Sequence, residues 1–308
     1  KLFAAIPTSI VSTPVNVKQG KVDMNGSIVG RTDSLHLPVI RGKAYIENVR
    51  AQYENMPREI EDLTADFNML IDDSRPDSSY VNLDIFHVKG GKSEIEATVR
   101  LTQLLARTLV DCRLKAHVDM TDVCGVIPID NTRMSGLVDA DIKTNFRLSD
   151  LQHYNLSSLQ LHGQVSVDNL NITNDTSNLE ILTSLRCRFR QDDTLGLGAR
   201  IERFRFRHDS TRIGVRDAFV AAKTISRPDT SQVTPIEFVS GVRRGFVRTD
   251  SIKFLVKNIR TKDYIRPSKA DPKRPIMHST IKCDTIFAGI LGIGSFTKDL
   301  LINVDAEA

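Results

Sequence analysis

The sequence predicts a mainly β protein, built as an antiparallel sheet that is wet on one side. Three observations predict it. Almost every patterned stretch alternates apolar and polar residues over five to nine positions, the period of a strand with one buried face. The stretch GQVSVDNLNI, Gly163 to Ile172, repeats GKAYIENVRA, Gly42 to Ala51, position by position. In both copies the apolar phase (Ala44 and Ile46; Val165 and Val167) slips by one after an asparagine, to Val49 and Ala51 or to Leu170 and Ile172, and such a slip needs a bulge, bend or turn.

The residues downstream of each copy repeat as well. Leu63-Thr64 leads into Ala65, Phe67, Met69 and Ile71, and Leu182-Thr183 leads into Leu185, Cys187 and Phe189. Val81, Leu83 and Ile85 then shift phase to Val88, as Leu195, Leu197, Ala199 and Ile201 shift to Phe204. Ser93 to Ala97 matches Thr211 to Val215. Offsets of 121, 119, 116 and 118 residues between paired landmarks point to an internal duplication.

Residues 1–41 read as N-terminal edge strands, short and separated by Pro7, Pro14, Gly20, Gly26, Gly30 and Pro38. A first β repeat unit spans 42–162. Its loop Asp72 to Ser79 is turn chemistry, and Thr102 to Leu109 is its best helical stretch, with Leu104, Leu105 and Leu109 at helical spacing. Leu114, Ala116 and Val118, and later Val138, Ala140 and Ile142, return to strand alternation. A second β repeat unit spans 163–308. Within it the basic segment 263–278 carries Pro267, Pro272 and Pro275 and reads as an exposed loop, because prolines interrupt a hydrogen-bond ladder.

Bulk properties narrow the function. The 308 residues carry a net charge of +4 and 6% aromatic residues without tryptophan, which gives neither the electrostatic footprint nor the stacking platform of a nucleic-acid binder. Four cysteines (Cys112, Cys124, Cys187, Cys283) show no zinc spacing and no disulfide-dense pattern; whether Cys112 and Cys124 pair stays open. The chain begins at Lys1, so the expectation is a mature or excised fragment, and no apolar run reaches the roughly 18 residues of a membrane span.

No catalytic constellation emerges. G-x-S-x-G, H-E-x-x-H and P-loop patterns are missing, and Gly196 to Gly198 lies inside a strand pattern. His87, His117 and His208 read as surface histidines without a partner at ligand spacing, and the acid pairs Asp72-Asp73 and Asp192-Asp193 as solvated loop residues. The expectation is a protein that is not an enzyme, with no cofactor and no metal.

The glycine-led strands GKAYIENV and GQVSVDNL, the strands IEDLTADF and LEILTSLRC, the segment KGGKSEIEATV and the continuation LTQLLARTLVDCRLKAHVDMTDVCGVIP resemble the AsmA-like proteins of the Gram-negative envelope, over Gly42 to Val220. The resemblance implies an elongated, strongly curved antiparallel sheet that forms an open apolar groove, with one or two short helices. It also implies a periplasmic part of a longer, inner-membrane-anchored protein that shields or conducts lipid acyl chains in outer-membrane biogenesis. Its partners would be phospholipid or another membrane lipid, a membrane surface or envelope proteins, and no nucleic acid.

The chemistry agrees with a lipid path. Burying a CH₂ is worth about 0.8 kcal/mol, and the bilayer offers the same gain, so a groove has only to match the membrane with apolar side chains. Ala44, Ile46, Phe67, Met69, Leu83, Ile85, Val165, Val167, Phe189, Leu197, Ile201 and Phe204 form the candidate floor. On the opposite phase, Arg186, Arg188 and Arg190 and then Arg203, Arg205 and Arg207 would line one basic outer surface if their strands neighbour, each worth about 1 kcal/mol near an anionic membrane. The same alternation fits the closed core of a β-sandwich, hence a non-catalytic scaffold or interaction module.

Overall fold

The computed structural model describes residues 15–31, 37–127, 129–152, 159–191, 195–225, 235–272, 274–290 and 293–307. Fifteen strands form one antiparallel sheet in strict sequence order, each hydrogen-bonded to the strand before and the strand after it. They are β1 (Val15–Val29), β2 (Val39–Tyr53), β3 (Asp62–Ile71), β4 (Tyr80–Gly90), β5 (Ser93–Thr102), β6 (Leu109–Asp119), β7 (Thr132–Arg147), β8 (Gln160–Asn174), β9 (Leu179–Gln191), β10 (Leu195–His208), β11 (Thr211–Thr224), β12 (Ile236–Arg248), β13 (Ile252–Pro267), β14 (Pro275–Ile290) and β15 (Ile293–Glu307). Fourteen interstrand steps make the sheet roughly 67 Å across. It does not close: β1 and β15 are free edges. The expected curved, open antiparallel sheet is the fold observed, and the closed sandwich is not.

The phase slips are the feature that keeps one face apolar. Asn169 sits in the left-handed region at φ 51°, and the β8 to β9 register jumps from Val167↔Leu185 to Leu170↔Thr183. Because β9 continues without a slip, Leu185 and Thr183 share a face, and so Val167 and Leu170 do too. Asn48 repeats this in β2 at φ 48°. The device recurs beyond the duplicated stretch, at Asp217 in β11, Asn258 in β13 and Asp299 in β15, with φ of 50 to 51°. Asn and Asp tolerate this conformation better than other residues with a side chain. In each repeat the asparagine's N–H donates to a hydroxyl on the next strand, Asn48 to Thr64 at 3.2 Å and Asn169 to Ser184 at 3.1 Å.

One layer of sheet buries little. Among the described residues the buried hydrophobics are Val49, Ala51, Ala65, Leu159, Val167, Ala218 and Cys283. The accessible surface is 19,594 Å² for 34.4 kDa, whereas a compact monomer of that mass exposes about 12,900 Å². Stability is carried by ladder hydrogen bonds and cross-strand pairs, not by a central core.

Two short helices accompany the sheet, α1 (Met120–Val126) and α2 (Leu148–Gln152), with a 3-10 turn at Pro76–Ser78. The Asp119 carboxylate caps α1 by accepting from the Thr121 N–H at 2.9 Å. Asp122, 1% exposed, then ties α1 to two loops: Arg58 donates to its Oδ1, while Lys92 N–H and Ser93 Oγ donate to Oδ2 at 2.6 and 3.0 Å.

Several sequence expectations are corrected. Thr102 to Leu109 is no helix; Thr102 pairs with Leu109, and the six residues between close the β5 to β6 connection with Gln103 at φ 55°. Pairing of the flanking strands overrides the weak helical spacing. Residues 263–278 are largely ladder, since β13 and β14 stay paired out to Pro267↔Pro275. The prolines fall at strand ends and in the turn, where no ladder donor is lost. Instead of short strands, 15–29 form the single edge strand β1; Pro7 and Pro14 lie outside the described residues. The unit boundaries at 42 and 163 fall inside β2 and β8, so the sheet runs through them unbroken. All four cysteines are free thiols.

Candidate functional site

The register aligns the apolar phase of every strand into rows that cross the sheet. One row starts at Val22 and passes Ile46, Ala65, Phe86, Ala97, Leu114, Ile142, Gly163, Phe189, Leu197, Ala222 and Phe238. A second runs from Val118 through Val138, Val167, Leu185, Ile201, Ala218, Val242, Ile259 and Cys283 to Leu300. Twelve strands in the first row and ten in the second contribute no charged or polar side chain. Most of these residues are half-buried, since neighbours flank them in the sheet and, among the described residues, no second layer runs over them.

Eleven of the twelve predicted floor residues share this face. Ala44 pairs with Phe67 and Phe67 with Leu83; Met69 lies against Gly42; Val165, Val167, Phe189, Leu197, Ile201 and Phe204 lie on β8 to β10, beside Ile46 in its row. Ile85 does not. The β4 slip comes before it, between Leu83 and Phe86, so Ile85 faces Asp66 on the reverse side at 47% exposure and Phe86 takes the apolar place.

Two features interrupt the floor. At one end α1 lies over the face beside β4 to β6, leaving a recess of about 240 Å³ walled mainly by Tyr53, Ile60, Val88, Ile95, Val118, Val123, Val126 and Ile127. In the first row, Phe238 is succeeded by Asp263, which is 6% exposed and pairs with Ser279. Ser279 Oγ donates to Asp263 Oδ1, Thr261 Oγ1 donates to Oδ2 at 3.0 Å, and Ser240 and Thr261 share a hydrogen bond of 2.8 Å. The signal was present in the sequence as Thr261 and Asp263 on the apolar phase of β13 with Ile259.

The reverse face is mostly polar, and the charge of the chain divides along its length. Of the 42 Lys and Arg, 24 lie from Gly163 onward with 17 of the 38 acids, a net of +7 against −3 before it. The strands β9 and β10 are neighbours, so all six predicted arginines share this face, but in staggered triplets. Arg186 faces Arg200, and Arg188 and Arg190 face Gly198 and Gly196; Arg203, Arg205 and Arg207 face Ser184, Leu182 and Glu180. Sequence reasoning stopped at β10 and missed that the basic set continues: Arg203 pairs with Arg216, Arg216 with Arg244 and Arg244 with Lys257, while Arg207 leads to Arg212, Arg248 and Lys253.

Polar groups read as unpartnered are partnered. His87 Nδ1 lies 3.3 Å from Asp62 and Nε2 2.9 Å from Glu94, an arrangement that raises its pKa above the ordinary value, chiefly through the hydrogen bond to Glu94. His87, Glu94 and Glu96 each offer one ligand atom within 4.8 Å of the others, the group among the described residues able to hold a metal ion. His117 Nδ1 is 2.6 Å from Asp139 and His208 Nε2 3.9 Å from Asp209. Asp72 is not solvated: 1% exposed, it accepts from Ser74 Oγ at 2.5 Å and from Arg75 at 2.8 Å, contacts that lower its pKa. Asp192 and Asp193 lie outside the described residues.

Among the described residues no helix is long and apolar enough to cross a membrane. No family model, no curated protein and no solved structure matches this chain.

Proposed function

We propose that this protein is a lipid-handling β-sheet of the envelope, in which acyl chains lie along the apolar face while headgroups stay in water. The observation that carries the reading is the pair of unbroken apolar rows on a face that, among the described residues, α1 covers only at one end. A globular protein hides such a surface; here it stays available along ten to twelve strands. Exposed apolar patches of this extent mark interaction with lipid or protein. The rows also lack the polar anchors of a specific pocket, as a path that only matches the bilayer requires.

The AsmA-like resemblance supplies the setting: a periplasmic segment acting in outer-membrane biogenesis. Native mass spectrometry of the purified protein, with lipid extraction and identification, tests the reading. Co-purifying phospholipid displaced by Leu197→Gln is the expected result. A lipid-free protein that takes up no phospholipid from detergent micelles would sink it, and would favour a scaffold whose apolar face binds another protein.

A further inference from the structure

The end of the sheet made by the β12 to β13 turn and the β14 to β15 hairpin differs from the rest. Here exposed apolar side chains stand on both faces. Ile252 and Ile290 pair on the apolar face at 46% and 62% exposure, while Phe246 and Phe296 stand on the reverse face at 38% and 67%. The reverse-face aromatics belong to one cross-strand row, Gly214, Phe246, Leu255, Phe287 and Phe296, in which Phe287 and Phe296 approach to 4.7 Å between ring centroids.

A basic row flanks this apolar row on each side: Arg212, Arg248 and Lys253 toward the hairpin end, and Arg216, Arg244 and Lys257 toward the middle of the sheet. Like charges directly opposite one another destabilise a sheet. Among the described residues none of these six has an acidic partner within ion-pair distance. An external anion would supply a counter-charge to these rows.

We propose that this end seats on an anionic phospholipid bilayer, with Ile290 and Phe296 entering the acyl region and the two basic rows binding headgroup phosphates. Phe246, Phe287 and Phe296 offer rings on one face only, the exposed Ile252 and Ile290 on the other give no stacking surface for bases, and an end with exposed apolar side chains on both faces is suited to insertion rather than to lying flat on a strand of nucleic acid. The inference deepens the lipid reading and rests on it, for it names where the apolar face meets the membrane.

Co-sedimentation with vesicles of phosphatidylcholine alone, or containing phosphatidylglycerol, tests it. The protein should bind the anionic vesicles preferentially and release with salt, and the pair Arg248→Glu with Lys253→Glu should weaken binding about tenfold or more. Ile290→Ser with Phe296→Ser should do the same, while Arg113→Glu on the reverse face of β6 should not. Circular dichroism keeps loss of fold apart from loss of docking. Equal binding of all variants, no preference for anionic vesicles, or single-stranded DNA outcompeting them would overturn the proposal. Lipid co-purification is read separately: docking lost with lipid retained refutes this inference alone, and docking without any bound lipid refutes the acyl path alone.

Discussion

Gly136 lies directly beneath Asn169: a Cβ on this glycine, which sits at φ 111°, would come 2.6 Å from the Asn169 carbonyl oxygen. Asn48 of the first repeat unit has the same relationship to Gly20 on the edge strand β1, where a Cβ on Gly20, at φ 119°, would come 2.9 Å from the Asn48 carbonyl oxygen and 2.5 Å from Val49 Cα. At these two sites the left-handed asparagine therefore leaves room only for a glycine on the preceding strand, and the pair moves the apolar phase by one residue without turning it to the other face. Gly136→Ala combines a backbone clash with a forbidden φ and should cost about 1–3 kcal/mol in urea unfolding. Asn169→Gly should be nearly neutral, since glycine adopts the same φ without strain. An alanine at 136 that leaves the midpoint unchanged would remove the argument.

Half-buried floor residues should behave unlike core residues. Leu197 loses only part of its surface in the sheet, so Leu197→Gln should cost less than the roughly 1.5–3 kcal/mol that full burial of such a side chain is worth. Bound lipid should fall much more than stability does. Val167, 8% exposed on the same face, is the contrast: Val167→Asp should unfold the protein. Comparing unfolding midpoints with lipid occupancy for the two variants checks the distinction.

The strands were legible because alternation is local: GKAYIENV and GQVSVDNL announce strand, slip and face within ten residues. What a slip does to the face was not legible, because that depends on the neighbour's register. Ile85 illustrates this, since its own strand places it with Leu83, and only pairing with Asp66 shows that the bulge precedes it. The continuation of the arginine set into Arg216, Arg244 and Lys257 was hidden for the same reason: these residues are far apart in sequence and become a row only through hairpin register. The helix α1 had a readable start in Asp119 and Asp122, which lost to the leucine spacing of 102–109.

His87 should make stability depend on pH near neutrality. Its pKa is raised above 6.5, first by the hydrogen bond to Glu94 and then by the charges of Asp62 and Glu94. A group whose folded pKa is raised contributes fully below its unfolded value and loses that contribution as pH rises through the folded one. His87→Gln should thus be less stable than the parent at pH values below 6.5, and the two should converge as pH climbs past the raised pKa. Urea midpoints across that window decide it; a constant difference at all pH values would mean that packing, not charge, is what the histidine provides.

Asp263 is the one charged group set into the first apolar row, and its described partners are hydroxyls: Ser279 and Thr261 donate to it, with Ser240 behind Thr261. Removing the acceptor leaves donors buried without a partner, so Asp263→Ala should cost about 1–3 kcal/mol. Ser279 is itself 8% exposed. The double variant Asp263→Leu with Ser279→Ala removes donor and acceptor together, and should recover most of the loss. It also extends the apolar row from Phe238 through β13 and β14 to Val304, which is 45% exposed. If the hydroxyl-bound carboxylate marks where the acyl path stops, the double variant should retain more phospholipid than the parent at equal or better stability. A double variant as unstable as Asp263→Ala would show that the network is not coupled as its geometry requires, because residues in one hydrogen-bond network interact by about 0.5–3 kcal/mol.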